Sequence, residues 1–570
     1  MQDPGLSEDF GGDAEPCPDS LWEWLSGAGS QSREQAALIV PDPKTSKWTV
    51  AWDYGSLVDR VEQLAGTWTE AGVISGDRLF VFVDNSSAAD WTLLFWLAAR
   101  LGLTFMPLDP AIFHRPDELK SMISLLKPAA IVVQDDTCVN NWDAIELDYT
   151  PKLQRVCSKS SQSGLDWQAL DHVKGPAPAA PFPETGPDHV AIIMNTSGST
   201  SLPKCCPVTV RTLVTEIRQY HSMHNSRFTS ATKHLVSTSV CRPISYLACV
   251  NTWIAGGAAV FTGGAFDADI TFRALDKAKC THAWFVPAMV NILHAEMGEH
   301  NLDTLRTVFM SGDTAEAKTI EKAKDLLPAS CQFISHWGMS EGAPLFGYNE
   351  DEQTSFEKDS GIGGIGRALR GTRVRVCEGD SNSPVKRGNQ GALHVKSDAM
   401  IGGYLDNRSE EDFYDDALGR WFKTGDTAVM DASGVLYIVG RTKDIIVYKG
   451  RNIVPTVVQS YLKGQFPAEW VLVGLKDEVY GEIPALVVDT LPFSKQEVLD
   501  YVKQSDIEDS GLKGGIHELK ELGFEGWPYN SSNKIQKLEL IEAVERARKG
   551  RGREQVFCEE LCDIALVIRD

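Results

Sequence analysis

The strongest constraint on the fold is an alternation of short apolar runs with helical stretches along the first three hundred residues. Asp77–Asp84 reads as a strand ending in Asn85-Ser86-Ser87, a helix start that leads into Trp91–Leu101. Leu103–Leu108 is a second strand, Pro116–Leu126 a helix and Ala129–Gln134 a third strand. The alternation resumes at His234–Thr238, Ala258–Thr262, His282–Val286 and Thr307–Met310. Strands separated by helices of this length predict parallel α/β sheets with helices on their faces. Ahead of this region, Leu21–Ser75 reads as helix, two short strands near Ala37–Val40 and Trp48–Ala51, then helix Tyr54–Ala71. Cys157–Pro183 is polar and rich in Pro and Ala, the composition of a connection. Past Asp359 the chain changes character: a Gly-rich stretch turns into β alternation over Thr372–Val376, followed by short strands at Val435–Val439 and Ile445–Tyr448. Alternating units from Trp470 to Asp500 predict a separate, smaller C-terminal domain. The chain's 570 residues exceed one core at ~100–200 residues per domain, so a multi-lobed body plus a smaller unit is expected.

Five stretches carry chemistry. Thr196–Lys204 reads T-S-G-S-T-S-L-P-K and follows the apolar run Val190–Met194, with helix Val208–Asn225 expected after it. Its hydroxyls, the turn at Gly198 and the ammonium of Lys204 suit a polyphosphate, although an ordinary hydroxyl-rich surface loop has the same composition. The pattern is not the G-x-x-x-x-G-K loop of nucleoside triphosphatases. His336-Trp337-Gly338-Met339-Ser340-Glu341 follows a strand at Gln332–Ser335. Glu341 beside a glycine turn can hold Mg²⁺ while the Trp337 indole flanks a flat heterocycle; a buried Trp and a solvated Glu fit equally well. In Thr424-Gly425-Asp426 the aspartate either caps backbone or accepts both hydroxyls of a ribose. Gly440–Ile446, continuing to Pro455, is densely charged between strands. Asn530–Lys537 presents Lys534 just before a helix.

Composition removes several function classes. A net charge of −23 argues against nucleic acid or an anionic membrane as partner, because phosphate surfaces need compensating Lys and Arg. Twelve scattered cysteines include no C-x-x-C pair, and reduced thiols are the default expectation. Residues 1–20 are acidic and rich in Gly and Pro, with no signal-peptide pattern, and read as a flexible tail. Trp91–Met106, the most apolar stretch, is interrupted by Arg100, so no membrane span is expected. The ending Val-Ile-Arg-Asp is neither a prenylation box nor a peroxisomal address, and a cytoplasmic location is the expectation. Gly361-Ile-Gly363-Gly-Ile-Gly366 satisfies G-x-G-x-x-G but lacks the strand before and the helix after that a dinucleotide site requires.

In order and separation, the five stretches resemble the motifs of the adenylate-forming superfamily of acyl- and aryl-CoA ligases, adenylation domains and beetle luciferases. The resemblance runs from about Trp22 to Leu540. Thr196–Lys204 is similar to that family's T-S-G-(S/T)-T-G-x-P-K, Trp337–Glu341 to its Y-G-x-T-E and Thr424–Asp426 to its T-G-D. Gly440–Pro455 is similar to G-R-x-K-D-x-I-x-x-x-G-x-N-I-x-P, and Pro528–Lys537 to the closing P-x-x-x-x-G-K-x-x-R. Asn85–Pro110 also fits the family's helix followed by G-x-x-x-x-P-L-x-P. The resemblance implies an α/β fold: a large N-terminal domain of two parallel-type α/β subdomains plus a distorted β-barrel lobe, and a small mobile α+β C-terminal domain. The boundaries expected are 21–442 and 443–570, with a hinge near Lys443.

The implied reaction is ATP-dependent activation of a carboxylic acid to an acyl-adenylate, followed by transfer to a thiol of CoA or of a phosphopantetheinyl carrier protein acting in trans. No carrier attachment serine follows Leu540. Transfer to an amine or hydroxyl, or a non-catalytic binding protein that keeps the fold, are the alternatives. By the resemblance Lys534 bridges carboxylate and α-phosphate, and Glu341 holds Mg²⁺. Thr196, Ser197, Gly198, Ser199, Thr200 and Lys204 enclose the outer phosphates. His336, Trp337, Gly338, Ser340, Asp313, Asp426, Arg441 and Lys443 complete the nucleotide site. The acid cavity is expected at Arg242, Ile244, Phe285, Ser311 and Gly312. Arg242-Pro243 stands where amino-acid-activating domains carry a Phe-Asp pair, so an aryl or acyl acid is expected rather than an ordinary α-amino acid. The chain departs from the motifs at Ser201, Asn533, Val457, Gln459 and Lys537.

Overall fold

The computed structural model describes residues 5–18, 20–30, 32–42, 44–157, 159, 167–170, 180–183, 185–196, 204–223, 227–312, 317–348, 352, 354–356, 362–405, 408–449, 451–491, 493–502, 512–529 and 535–548. The predicted alternation produces two seven-stranded sheets. The first runs Cys205–Thr209, Val190–Asn195, Thr104–Leu108, Arg78–Phe82, Ala130–Val133, Leu153–Val156, Gln168–Ala169. The second runs Gln332–Ser335, Thr307–Met310, His282–Phe285, Lys233–Val236, Ala258–Phe261, Ala36–Pro41, Trp48–Asp53. All pairings are parallel except the terminal hairpin of each sheet. Helix Tyr54–Glu70 starts where the Asp53 carboxylate accepts the Ser56 amide at 2.7 Å, which satisfies an orphan donor of the first turn.

One apolar core draws residues from both sheets and from the helices between them, Leu21–Ser30, Tyr54–Glu70, Ala88–Leu101 and Pro243–Ile254. Trp91, Phe95 and Trp96 pack against Trp253 across this layer, the first two tilted and the third edge-on. Helix Ala88–Leu101 is buried nearly all round, which explains its apolar sequence without a membrane; no described helix is long and apolar enough to cross one. Its single cation, Arg100, pairs with Glu62 at 2.7 Å and donates to the carbonyls of Ala180 and Pro181. Glu62→Ala is expected to cost about 2–3 kcal/mol in urea unfolding, below the ~3–5 kcal/mol of a fully buried pair because Glu62 is partly in water. Glu62→Gln, which keeps an acceptor, should cost less.

The third lobe is an antiparallel sheet of Thr372–Cys377, Gln390–Ser397, Gly419–Met430 and Phe413–Asp416, with Leu436–Arg441 on Gly419–Met430. Two sequence expectations are corrected here. The N-terminal tail is not free: Glu8–Phe10 adds an antiparallel strand to Thr372–Cys377, and Glu8 joins Asp416 in binding Arg375. The helix expected at Val208–Asn225 begins two residues later, as Val210–Met223. Cys205–Thr209, which contains Pro207, instead returns as an edge strand on Val190–Asn195. The C-terminal unit has its own sheet, Arg451–Ile453, Ile446–Tyr448, Gly481–Val488 and Trp470–Asp477 with Ile516–Glu518, and helices Pro455–Gln465 and Lys495–Val502. Cys558 and Cys562 lie outside the described residues.

Buried histidines give the body an acid limit. His234, His282, His336 and His394 are almost fully buried, and burial pulls each below its usual value, His282 to about 3 and His336 and His394 to about 4. They are therefore neutral in the fold, while the unfolded chain takes up protons below about pH 6.5. Stability is expected to fall as pH drops below that point, by up to about 1.4 kcal/mol per pH unit for each histidine. Urea unfolding at pH 7, 6 and 5 measures this, and a stability unchanged over that range refutes it.

Candidate active site

The two parallel sheets are tied at their carboxyl ends, where α/β folds place their ligands. Asn85, just past strand Arg78–Phe82, donates to the Thr238 carbonyl at 2.9 Å and accepts the Val240 amide at 2.8 Å. Thr196 and Lys204 lie at the connecting end of the hairpin formed by Val190–Asn195 and Cys205–Thr209. They clasp each other: the Thr196 amide donates to the Lys204 carbonyl at 3.0 Å, and the Lys204 amide to the Thr196 hydroxyl at 3.2 Å. Ser197, Gly198, Ser199, Thr200 and Ser201 lie outside the described residues, as do Asp313, Asn533 and Lys534.

From Lys204 a chain of contacts leads to Glu341. The Lys204 ammonium lies 3.3 Å from Asp412 and 4.6 Å from the centre of the Tyr404 ring. The Tyr404 hydroxyl donates to Glu341 Oε1 at 2.6 Å. Glu341 occupies a tight turn, Met339 to Gly342, closed by two reciprocal backbone bonds of 3.2 Å. Glycine is required at 342, because a Cβ there would lie 2.1 Å from the Ala399 carbonyl oxygen. Burial pushes the Glu341 carboxyl up; the Tyr404 hydrogen bond and the charges of Arg441 and Lys204 act against that rise. Among the described residues no three His, Cys, Asp or Glu converge on a metal. A cation here would be shared between Glu341 and a ligand's own oxygens, the usual arrangement for Mg²⁺ on a phosphate. The carboxylate fits that use, since Tyr404 takes Oε1 and the buried charge lacks a full counter-ion.

Asp426 and Arg441 face each other in the register of their two strands. Arg441 Nε lies 3.0 Å from Asp426 Oδ1, and the Trp337 indole N–H donates to Oδ2 at 2.8 Å. The Asp426 amide in turn donates to the Thr424 hydroxyl. Trp337, expected to flank a heterocycle, thus also fixes the carboxylate expected to bind ribose. The Gly338 Cα leaves no room for a side chain, since a Cβ would sit 2.6 Å from that of Ala343. Ser340 is half-buried on the turn beside Glu341. His336 lies behind Trp337, its ring against Tyr220, Trp284 and Phe309. Lys443 is exposed in the turn Thr442–Asp444, and its neighbour Asp444 pairs with Lys537 at 2.7 Å.

Of the residues expected to line an acid cavity, Gly312 and Ile244 approach each other, Ser311 and Arg242 lie beside them, and Phe285 stands apart. Ser311 Oγ accepts the Trp284 indole N–H at 2.8 Å, and Gly312, at φ +95°, faces Val286 and Ile244. Ile244 opens helix Pro243–Ile254, with half-buried Arg242 as its first flanking residue; burial works against the Arg242 charge while Asp109 supports it. Phe285 is the exception: its side chain belongs to the outer core with Leu235, Val260 and Met310. Strand periodicity puts Trp284, not Phe285, on the inner face. Tyr404 and Trp284 are the residues that sequence reasoning missed. Strand parity would have found Trp284; nothing local marks Tyr404. The departures in the C-terminal unit have structural uses: Val457 packs on Ile362, Val439 and Val454, and Gln459 Oε1 accepts the Leu472 amide at 3.0 Å.

Comparison with known proteins places the chain in a family and matches its fold. Residues 28–405, more than half the chain, match the family described as AMP-binding enzyme. The chain is 30% identical over 526 residues to an acyl-CoA ligase of Pestalotiopsis microspora, covering 87% of this chain and 88% of that one. ATP-bound MatB from Rhodopseudomonas palustris superposes with a TM-score of 0.75 at 20% identity, over 91% of this chain and 98% of that one. An anthranilate CoA ligase in complex with anthranoyl-AMP superposes with a TM-score of 0.77 at 16% identity, over 93% and 98%. At those identities the two structures speak for the fold.

Proposed function

This chain belongs to the AMP-binding, adenylate-forming enzymes, and from that premise we propose that it activates a carboxylic acid with ATP and passes the acyl group to a thiol. The observation that carries the reading is the contact chain from the Thr196–Lys204 clasp through Tyr404 to the buried Glu341. It joins a hydroxyl-rich, lysine-bearing segment to a carboxylate suited to a phosphate-bound cation.

A carboxylate resists nucleophiles because it is anionic and its oxide is a poor leaving group. In the first step one of its oxygens attacks the α-phosphorus of ATP, the bond to the bridging oxygen breaks, and pyrophosphate departs. Two anions must meet, so the chain's work is charge neutralisation and alignment. Lys534 is assigned to the space between carboxylate and α-phosphate. Thr196, Ser197, Gly198, Ser199, Thr200 and Lys204 are assigned to the β- and γ-phosphates, and Asp426, oriented by Arg441 and Trp337, to the ribose hydroxyls. Glu341 is the residue that would hold Mg²⁺, with Tyr404 fixing its rotamer; that ion neutralises phosphate charge when bound. In the second step a thiolate attacks the acyl carbon and AMP leaves with the electron pair of the broken anhydride bond. Lys443 is proposed as the hinge between 21–442 and 443–570, and CoA as the acceptor, with a carrier protein as the finer alternative.

Acid-dependent ATP–pyrophosphate exchange across aryl and aliphatic acids tests the first step. Exchange with none of them overturns the reading. Thioester formation with free CoA, against carrier proteins, then identifies the acceptor.

A further inference from the structure

Among the described residues the mechanism leaves two buried carboxyls unused, Asp90 and Glu216, and Glu216 is the more deeply buried. Glu216 lies on helix Val210–Met223, between the two sheets, and is 1% exposed. Its partners are a tyrosine and a backbone amide: the Tyr246 hydroxyl donates at 3.3 Å and the Ala343 amide at 3.2 Å. No Lys or Arg pairs with it among the described residues. Burial pushes this carboxyl well above its usual range, and the two hydrogen bonds only partly oppose the rise. A carboxyl held so far from water and from any cation is expensive, and an apolar residue of similar size is the cheaper choice for stability alone.

Its position suggests what offsets that cost. Glu216 reaches Ala343 immediately behind the turn that carries Glu341. One helical turn on, the Tyr220 ring packs at 5.2 Å on Trp284, whose indole N–H holds Ser311. Ser311 precedes Gly312, which faces Ile244, and Tyr246 lies two residues beyond Ile244 on the same helix. These contacts and chain neighbours lead from Glu216 to Ile244, Ser311 and Gly312, three of the residues expected to line the acid cavity. Two further polar atoms in this region, Tyr220 Oη and His336 Nε2, are buried without a hydrogen-bond partner among the described residues. An orphaned hydroxyl and ring nitrogen beside an uncompensated carboxyl call for a polar guest.

We propose that Glu216 is the specificity-determining residue of the acid cavity and selects carboxylic acids that carry a hydrogen-bond donor, a hydroxyl or amino group, away from the reacting carboxylate. This rests on the acid-activating function proposed above. It also agrees with Arg242-Pro243 at the start of helix Pro243–Ile254, which offers no acidic group for an α-ammonium.

The test is pyrophosphate exchange with matched pairs: benzoate against 3- and 4-hydroxybenzoate and 3- and 4-aminobenzoate, and hexanoate against 6-hydroxy- and 6-aminohexanoate. At least one donor-bearing acid should exceed its parent in kcat/KM by about tenfold or more, because a site built for a donor is left unpaired without it. Glu216→Leu should bring that ratio close to one, with Glu216→Gln between. Both variants should keep the thermal unfolding midpoint of the wild type or raise it. Equal loss for both members of every pair in the variants, or a wild-type preference for the parent acids, overturns the assignment while leaving acid activation intact. Exchange with no acid at all overturns both.

Discussion

Lys534→Ala should lower acid-dependent pyrophosphate exchange by at least about 10²–10³-fold while leaving the equilibrium affinity for ATP close to that of the wild type. The magnitude follows from the step itself. Removing one pre-placed donor from a developing oxyanion costs about 2.7–4 kcal/mol, and here the attacking and attacked groups are both anionic before any bond forms. Lys204 and Arg441 already have partners of their own, Lys204 in Asp412 and the Tyr404 ring and Arg441 in Asp426 and the Thr424 carbonyl, and both are assigned to other parts of the nucleotide. The outer phosphates and ribose are assigned to other residues, so nucleotide binding should survive. Lys534→Arg should recover little, because a planar guanidinium does not reproduce the compact point charge of an ammonium. Exchange in Lys534→Ala at the wild-type rate would show that another cation bridges carboxylate and phosphate.

Local pattern and long-range packing contributed unequally to what the sequence disclosed. Both parallel sheets were legible because each strand announces itself in a few adjacent residues and each helix between them in a few turns. The Thr196–Lys204 segment, the Trp337–Glu341 turn and the Thr424–Asp426 turn were legible as motifs for the same reason. What failed depended on partners far away in the chain. Glu8–Phe10 looks like tail because its polar acidic composition says nothing about Thr372–Cys377, the strand it joins. Val208 and Thr209 were absorbed into the helix that follows, since nothing local separates them from it and only pairing with the preceding strand makes Cys205–Thr209 β. Phe285 and Trp284 are equally apolar, and parity alone decides which faces inward. Tyr404 meets Glu341 across 63 residues and Glu216 meets Ala343 across 127, so neither contact leaves a local trace.

The second large effect is expected at Glu341. Glu341→Gln keeps the volume and an acceptor for the Tyr404 hydroxyl but removes the charge, so any role in folding is largely preserved. Burial already opposes ionisation of this carboxyl, and Tyr404 is its one charge-supporting hydrogen bond from a side chain among the described residues. The neutral amide should therefore leave the unfolding midpoint of the free protein unchanged or raise it. Catalysis should move the other way, with kcat/KM for exchange falling by about 10²-fold or more as the Mg²⁺ requirement rises. Tyr404→Phe separates the proposed holding of an ion from the orienting of its ligand. It retains the carboxylate and loses only the donor that fixes it, and a lost supporting partner of this kind costs about 10–100-fold in metal affinity. Excess Mg²⁺ should restore Tyr404→Phe towards wild-type kcat and leave Glu341→Gln impaired. Identical Mg²⁺ dependence in all three proteins would reduce Glu341 and Tyr404 to a buried structural pair.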